Sequence, residues 1–592
     1  MNEALQLTHT RIDDIPLLLS LLMKLGIPDL YDKHVGDHGL HTGLSGGWMI
    51  TIWMVFILTQ SDHTKYKVEE WVRRHSQLLT DLTGQQIDSS NFNDNRLARL
   101  LTRLSLPKHW ERFEAALWQN SLAVYEILSP SVGDLLSAHV DSTSVSGYHQ
   151  PHPNGVMQYG YSKDHRPDLA QLKLMTLALH PHGLMIASEV VSGNRADDSL
   201  YLPLIARTRQ MLSLTGLLYV GDSKMAAMAT RAQIARQGDY YLTVAPATGE
   251  TAQKLPAWIE AAVNGSEPLT PIFKENGEQI GRGYQFYREC HAEIDIDART
   301  EGFTFYERVQ VIQSDSLALS QANSLEKRLE KAIEEIARLT PAPGRGRRQY
   351  RDEESLKAAV GAILKKQKVE GLLEVDWQVE ENREVRLVGR GRGGANRERR
   401  DFVTRRCQIE SIVRDEQAIA AAKQRLGWRV QLSNAPEEVS LERLVIHYRS
   451  NWRGERNYNR LKSEPIGIDP IFVRRDDQIT GLTQLLTLCA RIESLIELQV
   501  ERGLKSEGKQ IKGLYAGLPN KATDHPTTVA MLKAIERKEI TLTRVEYNGE
   551  ESLHLTELPE WLEDVLRYLH LSPALYADLR NNSAFDISIF GK

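Results

Sequence analysis

The sequence predicts an α/β protein: an all-helical N-terminal region, a sheet-bearing core, and an insertion in that core that mixes β-strands with a helical hairpin. Apolar residues at helical spacing, with frequent breaks, run from about residue 11 to 130. At Ser137 the pattern changes to short apolar strands, three in succession and then alternating with helices. From about 246 to 430 long polar segments interrupt that core. The expected organisation is therefore 1–130, 131–245 as the first part of the core, 246–430 as the insertion, 431–505 as the second part, and a C-terminal region 506–592.

The N-terminal helices are read from IPLLLSLLMKLGIPDLY, KYKVEEWVRRHSQLL, DNRLARLLTRLSL and PKHWERFEAALWQNSLAVYEIL. In the third, Leu97, Leu100, Leu101 and Leu104 form an apolar stripe opposite Arg96, Arg99 and Arg103, which suits a solvated face or a DNA contact. Trp48 to Leu58 is the most apolar run; it is shorter than the roughly 18 residues that cross a bilayer and reads as a buried helix. The core strands are Ala138–Val145, Leu172–Leu179, Leu184–Val191, Leu217–Val220 and Tyr240–Val244, with helices Ser199–Leu212 and Met225–Arg236 between the later ones. Three strands, helix, strand, helix, strand is the order expected of an RNase H-like core, and strand carboxyl ends collect functional groups in such sheets.

Within the insertion, strand-like pieces (Gly283–Arg288, Phe303–Ile312) precede a long polar helix. Ala318, Ala322, Leu325, Leu329, Ala332, Ile336 and Leu339 alternate steps of four and three. That coiled-coil seam suits self-association or an intramolecular hairpin with a second helix near Glu353–Lys368. Leu373–Val379 and Glu384–Val388, joined through Glu380-Glu381-Asn382, read as a β-hairpin. Leu441–Lys462 and Ile479–Val500 read as helices, and Asn548-Gly549 as a two-residue turn between strands.

The chain's 592 residues carry 73 Lys and Arg against 78 Asp and Glu, a net charge of -5, which excludes a uniformly basic nucleic-acid coat. Basic residues are instead clustered. Arg345, Arg347, Arg348 and Arg351 have no acid among them, and nine arginines from Arg383 to Arg406, including Arg397, Arg399 and Arg400, face three acids, Glu384, Glu398 and Asp401. Such clusters supply phosphate affinity without sequence information. Cys290, Cys407 and Cys489 offer neither a disulfide framework nor zinc spacing, and no secretion signal opens the chain, so a reducing, cytoplasmic setting is expected.

Asp141 sits mid-strand among apolar residues, where a carboxylate needs a metal or a donor, and Asp222 ends another apolar strand. Two such aspartates on neighbouring strands suit a hard divalent cation; each is as readily a cap or turn residue. Tyr448, Trp452, Glu455, Asn459 and Lys462 are spaced to share one helix face, either a functional acid and base among aromatics or an ordinary Glu-Lys pair beside core rings.

Taken together, Asp141-Ser142-Thr143-Ser144, the run Gly160 to Leu169, Gly193-Asn194, Val220-Gly221-Asp222 and the segment Tyr448 to Lys462 resemble the DDE transposases of the IS4 superfamily of bacterial insertion sequences, in particular the IS1634 group. The last segment is similar to the family's signature of Tyr, two residues, Arg, three residues, Glu, six residues, Lys. Tyr448, Asn451, Glu455 and Lys462 occupy those slots; Asn451 departs from the family's Arg, and Arg449 and Arg453 flank it.

The resemblance implies Asp141, Asp222 and Glu455 as catalytic acids holding two Mg²⁺ or Mn²⁺ ions, and DNA contacts from Tyr448, Arg449, Arg453, Lys462, Lys163 and Arg166. It implies an enzyme that binds terminal inverted repeats of double-stranded DNA, cleaves there and joins 3′-hydroxyls to target DNA. A homodimer acting in the bacterial cytoplasm without a membrane is expected. A nuclease that does not join strands, and an inactive or domesticated DNA-binding protein, are the alternatives. Asp197, Asp198, Glu442 and Glu464 are the competing acids.

Overall fold

The computed structural model describes residues 6–37, 42–127, 135–163, 165–296, 299–344, 347–388, 398–450, 452–469, 471, 473–547 and 550–580. The chain divides into two units, Met1–Thr243 with His291–Phe305 and His447–Lys592, and Val244–Cys290 with Tyr306–Ile446.

In the first unit a strand β1 (Gln6–Arg11) precedes helices α1 (Ile15–Lys24), α2 (Ile27–His34), α3 (Gly46–Gln60), α4 (Lys65–Thr83), α5 (Asp94–Leu104) and α6 (Pro107–Tyr125). α3 is buried on nearly every side, as its unbroken apolar run requires, and the Ser45 side chain caps it by accepting from the Trp48 N–H. The leucine stripe of α5 is buried. Of its arginines, Arg103 donates to the carbonyls of Val35 and Gly36 and Arg96 to Asn91, so these two are structural.

The core elements are β2 (Ser137–Gly147), β3 (Ala170–His180), β4 (Leu184–Ser192), α7 (Tyr201–Leu212), β5 (Leu218–Gly221), α8 (Met228–Arg236) and β6 (Tyr240–Val244). Their spatial order is β4-β3-β2-β5-β6. β2, β3 and β4 pair antiparallel, whereas β5 joins β2 and β6 joins β5 in parallel. β3 is buried along almost its whole length, the mark of a strand covered on both faces.

The second unit contains α9 (Gly249–Val263), β7 (Thr270–Phe273), β8 (Gln279–Ile296), β9 (Arg299–Ser314), α10 (Asp315–Ala337), α11 (Glu353–Gln367), β10 (Leu373–Leu387), β11 (Arg399–Arg414), α12 (Glu416–Gln424), β12 (Trp428–Ser433) and most of α13 (Leu441–Arg449). The far end of the β8–β9 hairpin belongs to the first unit. Strands β12-β9-β8-β7 lie side by side in that order.

The α10 seam closes inside the chain: Leu325, Leu329, Ala332 and Ile336 are buried with Leu356 and Val360 of α11, with Val369 and Leu373, and with Cys407 and Ile419. Between the two alternatives for that seam, the intramolecular hairpin is the one formed. The hairpin expected within 373–388 is replaced by a longer one. Leu373–Leu387 is a single strand paired with β11, from Leu373 opposite Arg414 to Leu387 opposite Arg399. Glu380-Glu381-Asn382 runs on as strand because Arg406, Arg405 and Thr404 stand across from it, and no Gly or Pro there imposes a turn.

The first unit is completed by α14 (Trp452–Lys462), α15 (Asp476–Glu507), α16 (Thr528–Lys538), β13 (Thr541–Tyr547), β14 (Glu550–Leu555), α17 (Leu562–Tyr568) and α18 (Leu575–Arg580). The helix expected over 441–462 is two helices. The Ser450 hydroxyl donates to the His447 carbonyl at 2.7 Å, a side-chain bond of the kind that competes with helix continuation. The N-terminal region is not all helical either, since β1 pairs antiparallel with β13. α15 is long and apolar enough to cross a membrane by length and composition, yet its apolar stretch is buried within the unit. Its Arg491 donates to buried Glu114, which Arg207 also reaches at 2.9 Å, and stands 5.7 Å over the Trp110 ring.

Candidate active site

Asp141 lies on β2 opposite Thr176 of β3. The β2–β5 pairing runs up to Val140 beside Gly221, so Asp141 on β2 is followed across the pair by Asp222, the first residue past the end of β5. Asp141 is half-buried and accepts from the Ser142 N–H at 2.7 Å. Lys163 arrives from the loop between β2 and β3 and sets its ammonium 3.6 Å from Asp141 Oδ1. The same ammonium donates to the Ser142 carbonyl and hydroxyl oxygens, both at 2.7 Å. Burial raises the Asp141 pKa above the ordinary carboxylate value; the Lys163 charge opposes that rise and the Asp222 charge adds to it.

Asp222 Oδ1 accepts from the Tyr201 hydroxyl at 2.6 Å and from the Lys224 N–H at 2.9 Å. Its carbonyl accepts from the Thr243 hydroxyl at 2.6 Å. The Lys224 bond is a turn interaction; α8 begins only at Met228, later than the Met225 expected, so Asp222 does not cap that helix.

Glu455 is exposed in the first turn of α14. One turn on, the Tyr458 hydroxyl shares a 2.7 Å hydrogen bond with Thr176 Oγ1, the residue opposite Asp141. Asn457 donates to the Gly183 carbonyl at 2.7 Å, while Arg460 and Arg456 reach Glu497 of α15, Arg456 at 3.3 Å. α14 is thereby pinned between the sheet and α15, with Glu455 about 4.5 Å along the helix axis from Tyr458. Among the described residues no group of three or more His, Cys, Asp or Glu side chains is arranged to hold a metal ion. The structure brings Asp141 and Asp222 together and leaves Glu455 outside their cluster. Two neighbouring carboxylates, which offer oxygen donors alone, fit a hard cation such as Mg²⁺ or Mn²⁺ better than zinc.

Of the expected DNA contacts, Lys163 is engaged at the acid pair itself. Arg166 is clamped by Asp168 through bonds of 2.9 and 2.7 Å. Tyr448 and Arg449 end α13 and Lys462 ends α14, all half-buried; with the helix broken between them, Tyr448 shares no continuous face with Glu455 and Lys462. Arg347 donates to the Ala342 carbonyl at 3.3 Å and Arg348 stacks 4.9 Å over the Tyr350 ring.

Arg399 and Arg400 lie on β11, where Arg400 stands opposite Arg386 and bonds Glu398 at 3.1 Å. Glu381 takes Arg405 at 2.7 Å and Glu380 takes Arg406 at 3.6 Å, so the shaft of this ribbon is nearer charge balance than the arginine run suggests. Arg345, Arg397, Asn451 and Asn548-Gly549 lie outside the described residues, as do the side chains of Trp452, Arg453, Asp197 and Asp198. The other competing acids are engaged elsewhere: Glu442 accepts from the Phe273 N–H at 2.9 Å and Glu464 pairs with Lys533 at 3.0 Å.

Sequence reasoning missed Thr176, Tyr201 and Tyr458 as positioning residues, and a row of histidines beside them. The His139, His180 and His447 rings follow one another at 5.7 and 5.0 Å. Ser137 Oγ meets His447 Nδ1 at 3.2 Å and Ser450 Oγ meets His180 Nδ1 at 3.0 Å, which ties the end of α13 to β2 and β3. The one local signal was His139, a polar residue at the next inward-alternating position from Asp141 on an apolar strand.

A domain family described as a domain of unknown function (DUF4277) matches residues 7–113, from β1 into α6. No curated protein matches the chain. Among solved structures, the cryo-EM structure of a piggyBac transposase synaptic complex with hairpin DNA is similar over 98% of this chain and 88% of that one, at 7% identity and a TM-score of 0.33.

Proposed function

We propose that the chain is a DDE-type DNA transposase whose RNase H-like core lies in the first unit. The observation that carries this reading is the placement of Asp141 on β2 next to Asp222 just past the end of β5, two central parallel strands of a β4-β3-β2-β5-β6 sheet, with Glu455 on a helix pinned to that same sheet. The motif resemblance to the IS4 superfamily and its IS1634 group supports the same assignment.

In this reading Asp141, Asp222 and Glu455 are the residues that would hold Mg²⁺ or Mn²⁺. Two such ions supply an activated oxygen nucleophile and neutralise charge on the leaving oxygen. Lys163 balances the Asp141 charge in the free chain. Tyr458 and Asn457 hold the Glu455 helix in place, and Tyr201 orients the Asp222 carboxylate.

The chemistry is two successive displacements at phosphorus. At the element end a water oxygen bonds to phosphorus as the bond to the 3′-oxygen breaks, and that oxygen leaves as a hydroxyl. The freed 3′-hydroxyl then bonds to a phosphorus of target DNA, displacing the target's own 3′-oxygen. The substrates are the terminal inverted repeats and a target duplex, brought together by a homodimer.

The test is incubation of the protein with duplexes carrying the inverted repeats that flank its coding region, in Mg²⁺ or Mn²⁺. Wild type should cleave and join, and Asp141→Asn, Asp222→Asn and Glu455→Gln should each lose both steps by on the order of a hundredfold or more. Identical products from wild type and variants would refute the assignment. Cleavage without joining would replace the transposase by a nuclease.

A further inference from the structure

Tyr148, Tyr159 and Tyr161 leave 84%, 57% and 80% of their surfaces in solvent. All three belong to the loop between β2 and β3, the segment that also delivers Lys163 to Asp141. Large rings this exposed are unusual on a surface loop, and here their supports are fixed. Arg166, itself clamped by Asp168, interacts with the Tyr148 phenol. Gln171 of β3 donates to the Tyr161 carbonyl at 2.7 Å, and the backbones of Gln158 and Gln171 exchange two hydrogen bonds of 2.9 Å. Gly160, between the other two tyrosines, lies so close to Gly193 that a Cβ there would stand 2.2 Å from the Gly193 carbonyl oxygen. The backbone around Gln158–Tyr161 is thus held in place while the rings face outward, a geometry that presents flat π surfaces at little cost in side-chain entropy.

We propose that these tyrosines form a stacking platform for unpaired DNA bases beside the Asp141–Asp222 pair. The inference rests on the DNA reading above and adds the form of DNA that this lip of the site accepts. In an intact duplex both faces of every base are covered by neighbours, so exposed rings gain nothing from paired DNA; a base freed from its partner offers a face to each ring. The cations beside the rings complete the fit. Arg474 lines a cleft together with Tyr148 and Met157, and Lys163 and Arg166, paired in the free chain with Asp141 and Asp168, are on the same loop, which suits a phosphate backbone passing alongside stacked bases.

The test is equilibrium binding by fluorescence anisotropy to two duplexes of equal length, one fully paired and one ending in about five unpaired bases, with 2-aminopurine in the unpaired run as a stacking reporter. Wild type should bind the unpaired end about tenfold or more tightly and quench the reporter. The double variant Tyr148→Leu, Tyr161→Leu should keep its affinity for paired DNA and lose both the preference and the quenching. Tyr161→Phe, which keeps the ring, should behave as wild type. Equal affinity of wild type for the two duplexes overturns the proposal, and so does a double variant that keeps the preference. Binding to neither DNA overturns the DNA reading as well, so the two failures are told apart by the paired duplex.

Discussion

Glu493 is 0% exposed in the middle of α15, and neither of its carboxylate oxygens has a hydrogen-bond partner among the described residues. Burial pushes its pKa up to about 8, against the pull of Arg460 and Arg456 and with a push from Glu497. The folded chain therefore keeps this proton at neutral pH. Unfolded, the same carboxyl loses it near its ordinary value of 4.5. Between those limits the folded state binds more protons than the unfolded one, so this residue's contribution to stability is whole below about pH 4.5 and declines as pH rises towards about 8. At about 1.4 kcal/mol per decade, the loss reaches on the order of 5 kcal/mol as an upper bound.

Glu493→Gln keeps the shape and removes the titration. The variant should match wild type to within about 1 kcal/mol near pH 5 and exceed it by a few kcal/mol near pH 8.5, which raises the thermal midpoint by several degrees. Urea and thermal unfolding followed by circular dichroism across that range measure the difference, in which the other titrating groups cancel. A difference that stays flat with pH, or that favours wild type at alkaline pH, refutes the reasoning.

Glu114→Ala strands Arg207 and Arg491 in a buried site, and urea unfolding should show a loss of about 3–5 kcal/mol. Tyr458→Phe removes the bond to Thr176; stability should fall by about 1 kcal/mol, and cleavage should slow by about tenfold with unchanged affinity for paired DNA, as strand-cleavage assays would show. Gly193→Ala would put a Cβ 1.9 Å from the Gln171 carbonyl oxygen, so β3 or the loop must shift; calorimetry should find a cost of about 1–3 kcal/mol or more.

The core was legible because its strands are apolar and buried, so the break in periodicity at Ser137 and the helices between the later strands stand out in the chain itself. Asp141 and Asp222 were visible for the same reason, as carboxylates in apolar company. What escaped notice lacks a buried face. β1 and the distal part of β10 are exposed on nearly all sides, so no period-two signal marks them, and the polar run Glu380-Glu381-Asn382 looked like a turn. The break at Ser450 depends on one hydroxyl choosing a backbone carbonyl, which spacing does not reveal. Lys163 meets Asp141 through the path of a loop, and Tyr458 meets Thr176 from 282 residues away; pairings of that reach are set by tertiary structure and leave no trace in local pattern.

The pairing of β1 with β13 joins Arg11 to Thr541. During synthesis at about 5–20 residues per second, the first strand therefore waits from roughly half a minute to nearly two minutes before its partner leaves the ribosome. Throughout that interval its open edge is available to other chains, and the helices behind it must assemble without it. Clipping the β13–β14 hairpin from the finished chain would return the molecule to that nascent condition, with an unpaired edge at its start and a neighbour's strand as the nearest substitute.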